Sequence, residues 1–128
     1  PLAHSRGVAL ALEAEQPVWI HGEPTLLNEL LCNLIDNAMA YTEAGGNVTL
    51  RVLESGVLEV EDDGPGIPEE DRERVFERFY RRQAQGLGAG LGLAIVGEIC
   101  QAHRAAISLH QASPQGLLVR VAFHSEAD

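Results

Sequence analysis

From Gly7 onward the apolar positions fall first in short β-like runs, GVALALEA and then PVWIH, before the spacing becomes helical. Gly22, Glu23 and Pro24 mark a helix start, with Pro at an early position where its missing N–H is not needed. A helix is expected from about Pro24 to Tyr41. Leu26, Leu30, Leu34 and Ala38 share one stripe at i+4 spacing, with Leu27, Leu31 and Ile35 beside it. So broad an apolar face has to pack on a sheet. Gly45-Gly46 ends the helical region, and NVTLRVL and GVLEVED then alternate with period two around Glu54-Ser55-Gly56, as two antiparallel strands of a hairpin do. DDGPGIPEE breaks any regular element, and an arginine-rich amphipathic segment follows to about Arg82. QAQGLGAGLG reads as loop to about Gly90. LGLAIVGEICQAH returns to helical spacing, and AAISLHQ and GLLVRVAF close the chain as a hairpin around Ser113-Pro114-Gln115-Gly116. Helices and strands are mixed without strict βαβ alternation. The expected class is α+β: a two-layer α/β sandwich, with about three helices on one face of a mixed sheet of about five strands, rather than a doubly wound parallel sheet.

Composition narrows this picture without changing it. The 128 residues suit one domain, 1–128, with a single core. The 19 acidic against 9 basic residues give a formal net charge of -10, a surface that repels nucleic-acid phosphates. All the basic residues are Arg, and five of them (Arg72, Arg74, Arg78, Arg81 and Arg82) fall close together, so local positive charge is expected only there. No apolar run approaches the roughly 20 residues that span a bilayer. Cys32 and Cys100 lie in apolar helix-like runs with no CxxC, and read as reduced core thiols.

Three constellations carry candidate chemistry. Asn33 and Asn37, at i and i+4, emerge on one side of the first long helix. Their amide oxygens suit Mg²⁺, which takes its other oxygens from water and substrate phosphates; the pair is also readable as a solvent-side polar stripe. In GVLEVEDDG, Asp62 continues the buried stripe of Leu58 and Val60, while Glu59 and Glu61 face the other way. A buried carboxylate needs donors. The exocyclic amino group of a base would supply them, or Asp62 caps the turn formed by Asp63-Gly64-Pro65-Gly66. Gly86, Gly88, Gly90 and Gly92 recur at every second residue before a helix, a device for bringing backbone N–H groups to phosphate or else a flexible loop. Neither GxxxxGK[ST] nor GxGxxG is satisfied.

Taken in order, NLIDNAMAYT, EDDGPGIP, VFERFYR and GLGAGLGLAIV resemble the ATP-binding catalytic domain of bacterial sensor histidine kinases. That family lies within the superfamily of gyrase, heat-shock chaperone, histidine kinase and mismatch-repair ATPases, with its left-handed βαβ Bergerat fold. The resemblance implies that Asn33 and Asn37 form the N box, with Asn37 the Mg²⁺ ligand and Asn33 near the phosphates. It further implies that Tyr41 lines the nucleotide pocket. Asp62, Gly64 and Gly66 then form the first glycine box, with Asp62 accepting from the adenine amino group. Phe76 and Phe79 match the F box, and Arg81 reaches toward phosphate. Gly88, Gly90 and Gly92 form the second glycine box, flanking a mobile lid over residues 82–90, with Leu91 and Leu93 anchoring the following helix. One departure stands out: where the family usually has Lys or Arg after the N box, this chain has Ala40.

What the resemblance implies for function is binding of ATP with Mg²⁺ and donation of the γ-phosphate to a histidine on a separate dimerisation domain of the same kinase, with a response regulator further downstream. Its place would be the cytoplasmic side of an inner-membrane sensor, and the isolated domain would be monomeric. None of His4, His21, His103, His110 and His124 begins an H-E or H-D helical motif, so each is expected at the surface or in a strand. The same superfamily contains ATP hydrolases, which place a Glu where this chain has Asn33. It also contains serine kinases of the anti-sigma type, and the missing cation at Ala40 admits a weak nucleotide-binding module without transfer activity.

Overall fold

The computed structural model describes residues 8–77, 92–113 and 115–123. The order is β1 (Ala9–Ala14), α1 (Pro24–Tyr41), β2 (Asn47–Leu53), β3 (Val57–Asp62), α2 (Gly92–Ala102), β4 (Ala106–Gln111) and β5 (Leu117–Ala122). The five strands form one sheet in the order β1-β2-β3-β5-β4. β1 and β2 run parallel on either side of α1, and every other pairing is antiparallel. The two helices pack on each other and on one face of this mixed sheet. The expected sandwich is therefore present with two α-helices among the described residues, not about three. Between the first glycine loop and Glu77, the described residues hold two single 3-10 turns, Glu69–Asp71 and Arg74–Phe76.

Helix α1 begins and ends close to where its sequence signals place it. The Glu23 carboxylate accepts from the Leu26 N–H at 2.8 Å, and Pro24 occupies the first turn. Leu30, Leu34, Ala38 and Met39 are buried, whereas Leu26, at the start of the stripe, is 36% exposed. From α2 come Leu93, Val96, Ile99 and Cys100, and from the sheet Val48, Val60, Leu117, Val119 and Val121. Together these close one core. The expectation for the cysteines holds for Cys100 but not for Cys32, which is exposed. Cys32 sits two residues from both Leu30 and Leu34, so 100° per residue turns it away from the face they share.

PVWIH is not a strand: only Ile20 makes an isolated bridge, and Trp19 is 74% exposed. The run lies in the β1–α1 crossover, where beyond that one bridge no partner strand pairs with it. The two hairpins are as expected. Leu53 faces Val57 across Glu54-Ser55-Gly56, with Gly56 at φ +84°, and Gln111 faces Leu117 across the last turn.

Candidate functional site

Asp62 ends β3 on the face that carries Val60, and is 3% exposed. Its Oδ1 accepts from the Gly64 N–H at 2.9 Å and from the Leu117 N–H at 3.3 Å. The turn-capping reading is thus met, and the carboxylate is also fixed from a strand 55 positions away. The chain passes closely here. Gly66 has φ +78°, and a Cβ built on it would stand 3.0 Å from the Gly116 carbonyl oxygen. Neighbouring Asp63 points its carboxylate back at the first residue of β2, accepting from Asn47 N at 3.0 Å and from Asn47 Nδ2 at 3.2 Å.

The C-terminal end of α1 meets this loop through Gly46. A Cβ there would approach Thr42 Cγ2 to 2.5 Å and Asp63 Oδ1 to 2.7 Å, so only glycine lets the helix end and the loop come together. Thr42 is buried, and its hydroxyl donates to the Ala38 carbonyl at 2.8 Å. One to two turns back on the same helix, Asn33 and Asn37 are half-buried. Asn33 Nδ2 donates to the Glu29 carbonyl at 2.8 Å, which leaves its Oδ1 as the outward acceptor. The Asn37 amide has no hydrogen-bond partner among the described residues. No cluster of three or more His, Cys, Asp or Glu suited to a metal is found among those residues. A divalent cation held by one amide oxygen and delivered with its phosphates fits this arrangement, and a cation held in a protein carboxylate cage does not.

Of the sequence-predicted residues, Asn33, Asn37, Asp62, Gly64 and Gly66 are thus placed on α1 and on the adjoining loop. Tyr41 ends α1, with its side chain outside the described set, and Gly92 opens α2. Phe79, Arg81, Gly88, Gly90 and Leu91, with the expected lid, lie outside the described residues. Phe76 of the F box packs 3.5 Å from the Cβ position of Gly97 on α2. Sequence reasoning names Asp63, Gln115 and Gly116 only as turn residues and does not bring them, or Asn47, together around Asp62, because their partners are distant in sequence.

The outer face of the sheet is different in kind. Arg51 reaches Glu61 at 2.7 Å, Glu13 at 3.0 Å and Glu59 at 3.4 Å, and Arg120 reaches Glu59 at 3.2 Å. The hydrogen bond to Glu61 raises the Arg51 pKa above its ordinary value, with burial opposing and Glu13 adding to the rise. These arginines are committed to carboxylates.

Comparison with known proteins follows the same outline. The profile of the family described as histidine kinase-, DNA gyrase B- and HSP90-like ATPase matches residues 22–127. The sensor protein kinase PmrB of Pseudomonas aeruginosa is 39% identical over 125 residues, covering 93% of this chain and 26% of its own length. The sensor histidine kinase TrcS of Mycobacterium tuberculosis is 37% identical over 112 residues, covering 79% of this chain and 22% of its own. The chain thus spans about a quarter of the length of these relatives. Among solved structures, the mycobacterial sensor histidine kinase MprB superposes with a TM-score of 0.83 at 30% identity, covering 97% of this chain and 87% of that one. Full-length ShkA in complex with AMPPNP gives 0.77 at 33%, covering 98% of this chain and 28% of that one. With a two-layer sandwich, an asparagine-bearing helix beside a glycine loop, and a family match over most of its length, the chain belongs to the histidine kinase-, DNA gyrase B- and HSP90-like ATPase family, in the form found in sensor histidine kinases.

Proposed function

We propose that this domain binds ATP with Mg²⁺ and presents the γ-phosphate to a histidine on a separate dimerisation domain of the same kinase, in two-component signalling. The observation that carries the reading is the Asp62 carboxylate: 3% exposed, with one oxygen fixed by two backbone N–H groups, in a loop whose glycines admit close approach. In this reading Asp62 accepts from the adenine amino group, and Gly64 and Gly66 let the base lie against backbone. The unpartnered Asn37 amide gives its oxygen to Mg²⁺, with Asn33 beside the phosphates and Tyr41 against the nucleotide. The family resemblance assigns Phe79, Arg81, Gly88, Gly90, Leu91 and Gly92 to nucleotide binding as well. The nucleotide supplies the transferable phosphoryl group, and the domain's own work is to bind, orient and exclude water. The acceptor imidazole would bond to phosphorus as the bond to the ADP oxygen breaks, so ADP leaves with that electron pair.

PmrB and TrcS are named as sensor kinases, which supports a place for this domain on the cytoplasmic side of an inner-membrane sensor, with a response regulator as the eventual phosphate acceptor. No helix among the described residues is long and apolar enough to cross a membrane. Asn33 stands where the hydrolases of the superfamily place a general base, a group worth about 10²- to 10⁴-fold in rate, which favours transfer over hydrolysis. Ala40, half-buried on α1, supplies no cation, which favours a modest affinity.

Calorimetric titration with a non-hydrolysable ATP analogue, with and without Mg²⁺, tests the binding half. Binding should strengthen with Mg²⁺, and Asn37→Ala should remove that gain while leaving the metal-free affinity in place. Mixing the domain with the dimerisation domain and labelled ATP tests transfer. Label appearing on a serine, or only in free phosphate, would overturn the reading.

A further inference from the structure

The backbone from Asp62 to Gly64 is gripped from two sides. On one side the Asp63 carboxylate takes the N–H and Nδ2 of Asn47, and the Asp63 N–H donates to the Asn47 carbonyl at 3.3 Å. On the other side stands the β4–β5 turn, where Gln115 Nε2 donates to the Asp63 carbonyl oxygen at 3.0 Å, across 52 positions of sequence. Gly116 follows, so close that a Cβ on it would fall 1.9 Å from the Asp62 carbonyl oxygen and 2.9 Å from Asp63 Cα. The Leu117 N–H then reaches Asp62 Oδ1. The turn therefore touches both the backbone and the side chain of the residue assigned to the base.

Gln115 itself is exposed and belongs to no core cluster. An exposed hydrogen bond of this kind adds little to stability, because water replaces it readily. What it does fix is direction: the Asp63 carbonyl shares one peptide plane with the Gly64 N–H, so tying that carbonyl to the turn holds the donor that orients the Asp62 carboxylate. Hydrogen bonds weaken steeply with misalignment, so an acceptor fixed beforehand binds better than one ordered on contact.

We infer that Gln115 is a positioning residue for base recognition, acting through the Asp63 carbonyl to aim the Asp62 carboxylate. This rests on the reading of Asp62 as the adenine acceptor. The experiment is a comparison of ATP and GTP dissociation constants for the parent, Gln115→Ala, Gln115→Arg, Asp62→Asn and the Gln115→Ala/Asp62→Asn double variant. The two nucleotides share a triphosphate, so their affinity ratio isolates the base end and cancels any change in charge or in folded fraction. Gln115→Ala should lower the parent's preference for ATP by about two- to tenfold, the worth of one neutral hydrogen bond, with an unchanged melting temperature. Gln115→Arg, which keeps a long donor, should restore it. In the Asp62→Asn background, Gln115→Ala should change the ratio no further. An unchanged ratio in Gln115→Ala, an equal loss for both nucleotides, or effects that multiply in the double variant would overturn the inference while leaving Asp62 in place. A parent that does not distinguish ATP from GTP, with Asp62→Asn equally indifferent, would remove the Asp62 reading itself.

Discussion

Asp62 ties its own turn to a remote strand, and in the proposed reading the same carboxylate is the acceptor for the adenine amino group. Asn at this position keeps one carbonyl oxygen for the Gly64 and Leu117 N–H groups, but turns an NH₂ donor toward the adenine amino group. Asp62→Asn is expected to weaken ATP binding by about 10- to 100-fold, the range of a hydrogen bond to a charged group, with circular dichroism unchanged; titration calorimetry reads it. The alternation of GVLEVED made the burial of Asp62 legible, since a period of two assigns every residue to a face. The same logic could not find Asn47 or Gln115, whose bonds to the Asp62–Asp63 segment cross 16 and 52 positions. Such contacts leave no local pattern. Cys32 is exposed for a related reason: an apolar run around a residue says less than its angle on the helix.

The two helices are joined at an end by a contact that neither helix's sequence announces. His103, in the turn after α2, accepts the Glu23 N–H on Nε2 at 3.0 Å, and its Nδ1 lies 2.9 Å from the Ile99 carbonyl. The partners assign the tautomer: Nδ1 carries the proton, and Nε2 is the acceptor. The ring thus satisfies one of the orphan donors at the start of α1 while completing the end of α2. His103→Ala should cost about 1 kcal/mol and lower the melting temperature by a few degrees, without changing ATP affinity. Expected only as a surface or strand residue, His103 instead bridges 80 positions. On α2 itself, burial pushes the Cys100 thiol up to about 11. A folded-state value above the unfolded one contributes stability that is complete below the unfolded value, near pH 9, and is lost as pH rises through about 11. The loss amounts to roughly 2 to 3 kcal/mol. Denaturation midpoints at pH 8 and pH 10.5 should therefore differ more for the parent than for Cys100→Ala, and a thiol reagent should modify Cys32 alone in the native protein.

At the level of the whole molecule, helix and strand positions were legible because the hydrophobic period changes sharply between them, and each hairpin named its own pair. Hairpins alone do not say how pairs assemble. That β5 lies beside β3, with β4 outside it, is decided by which faces are apolar on both strands: Val60 faces Val119, and Leu58 faces Val121. PVWIH shows the converse, since an apolar run becomes a strand only where a partner strand is within reach. The order β3-β5 has a consequence for folding. The Asp62 carboxylate and the Leu117 N–H come together only when a loop of some 55 residues closes, which makes their contact among the costlier ones in chain entropy. Asp62, the base acceptor of the proposed reading, therefore has no formed counterpart in the denatured ensemble, and nucleotide should bind the native state alone. Mass action then sets the gain: at a hundred times its dissociation constant, Mg·ATP should add about 2.7 kcal/mol to the unfolding free energy, with the denaturant slope unchanged. A ligand that recognised a locally formed turn would add less, because the unfolded chain would share it. The nucleotide site of this domain is in that sense a reporter of long-range sheet closure, and its occupancy should rise and fall with the pairing of β3 and β5.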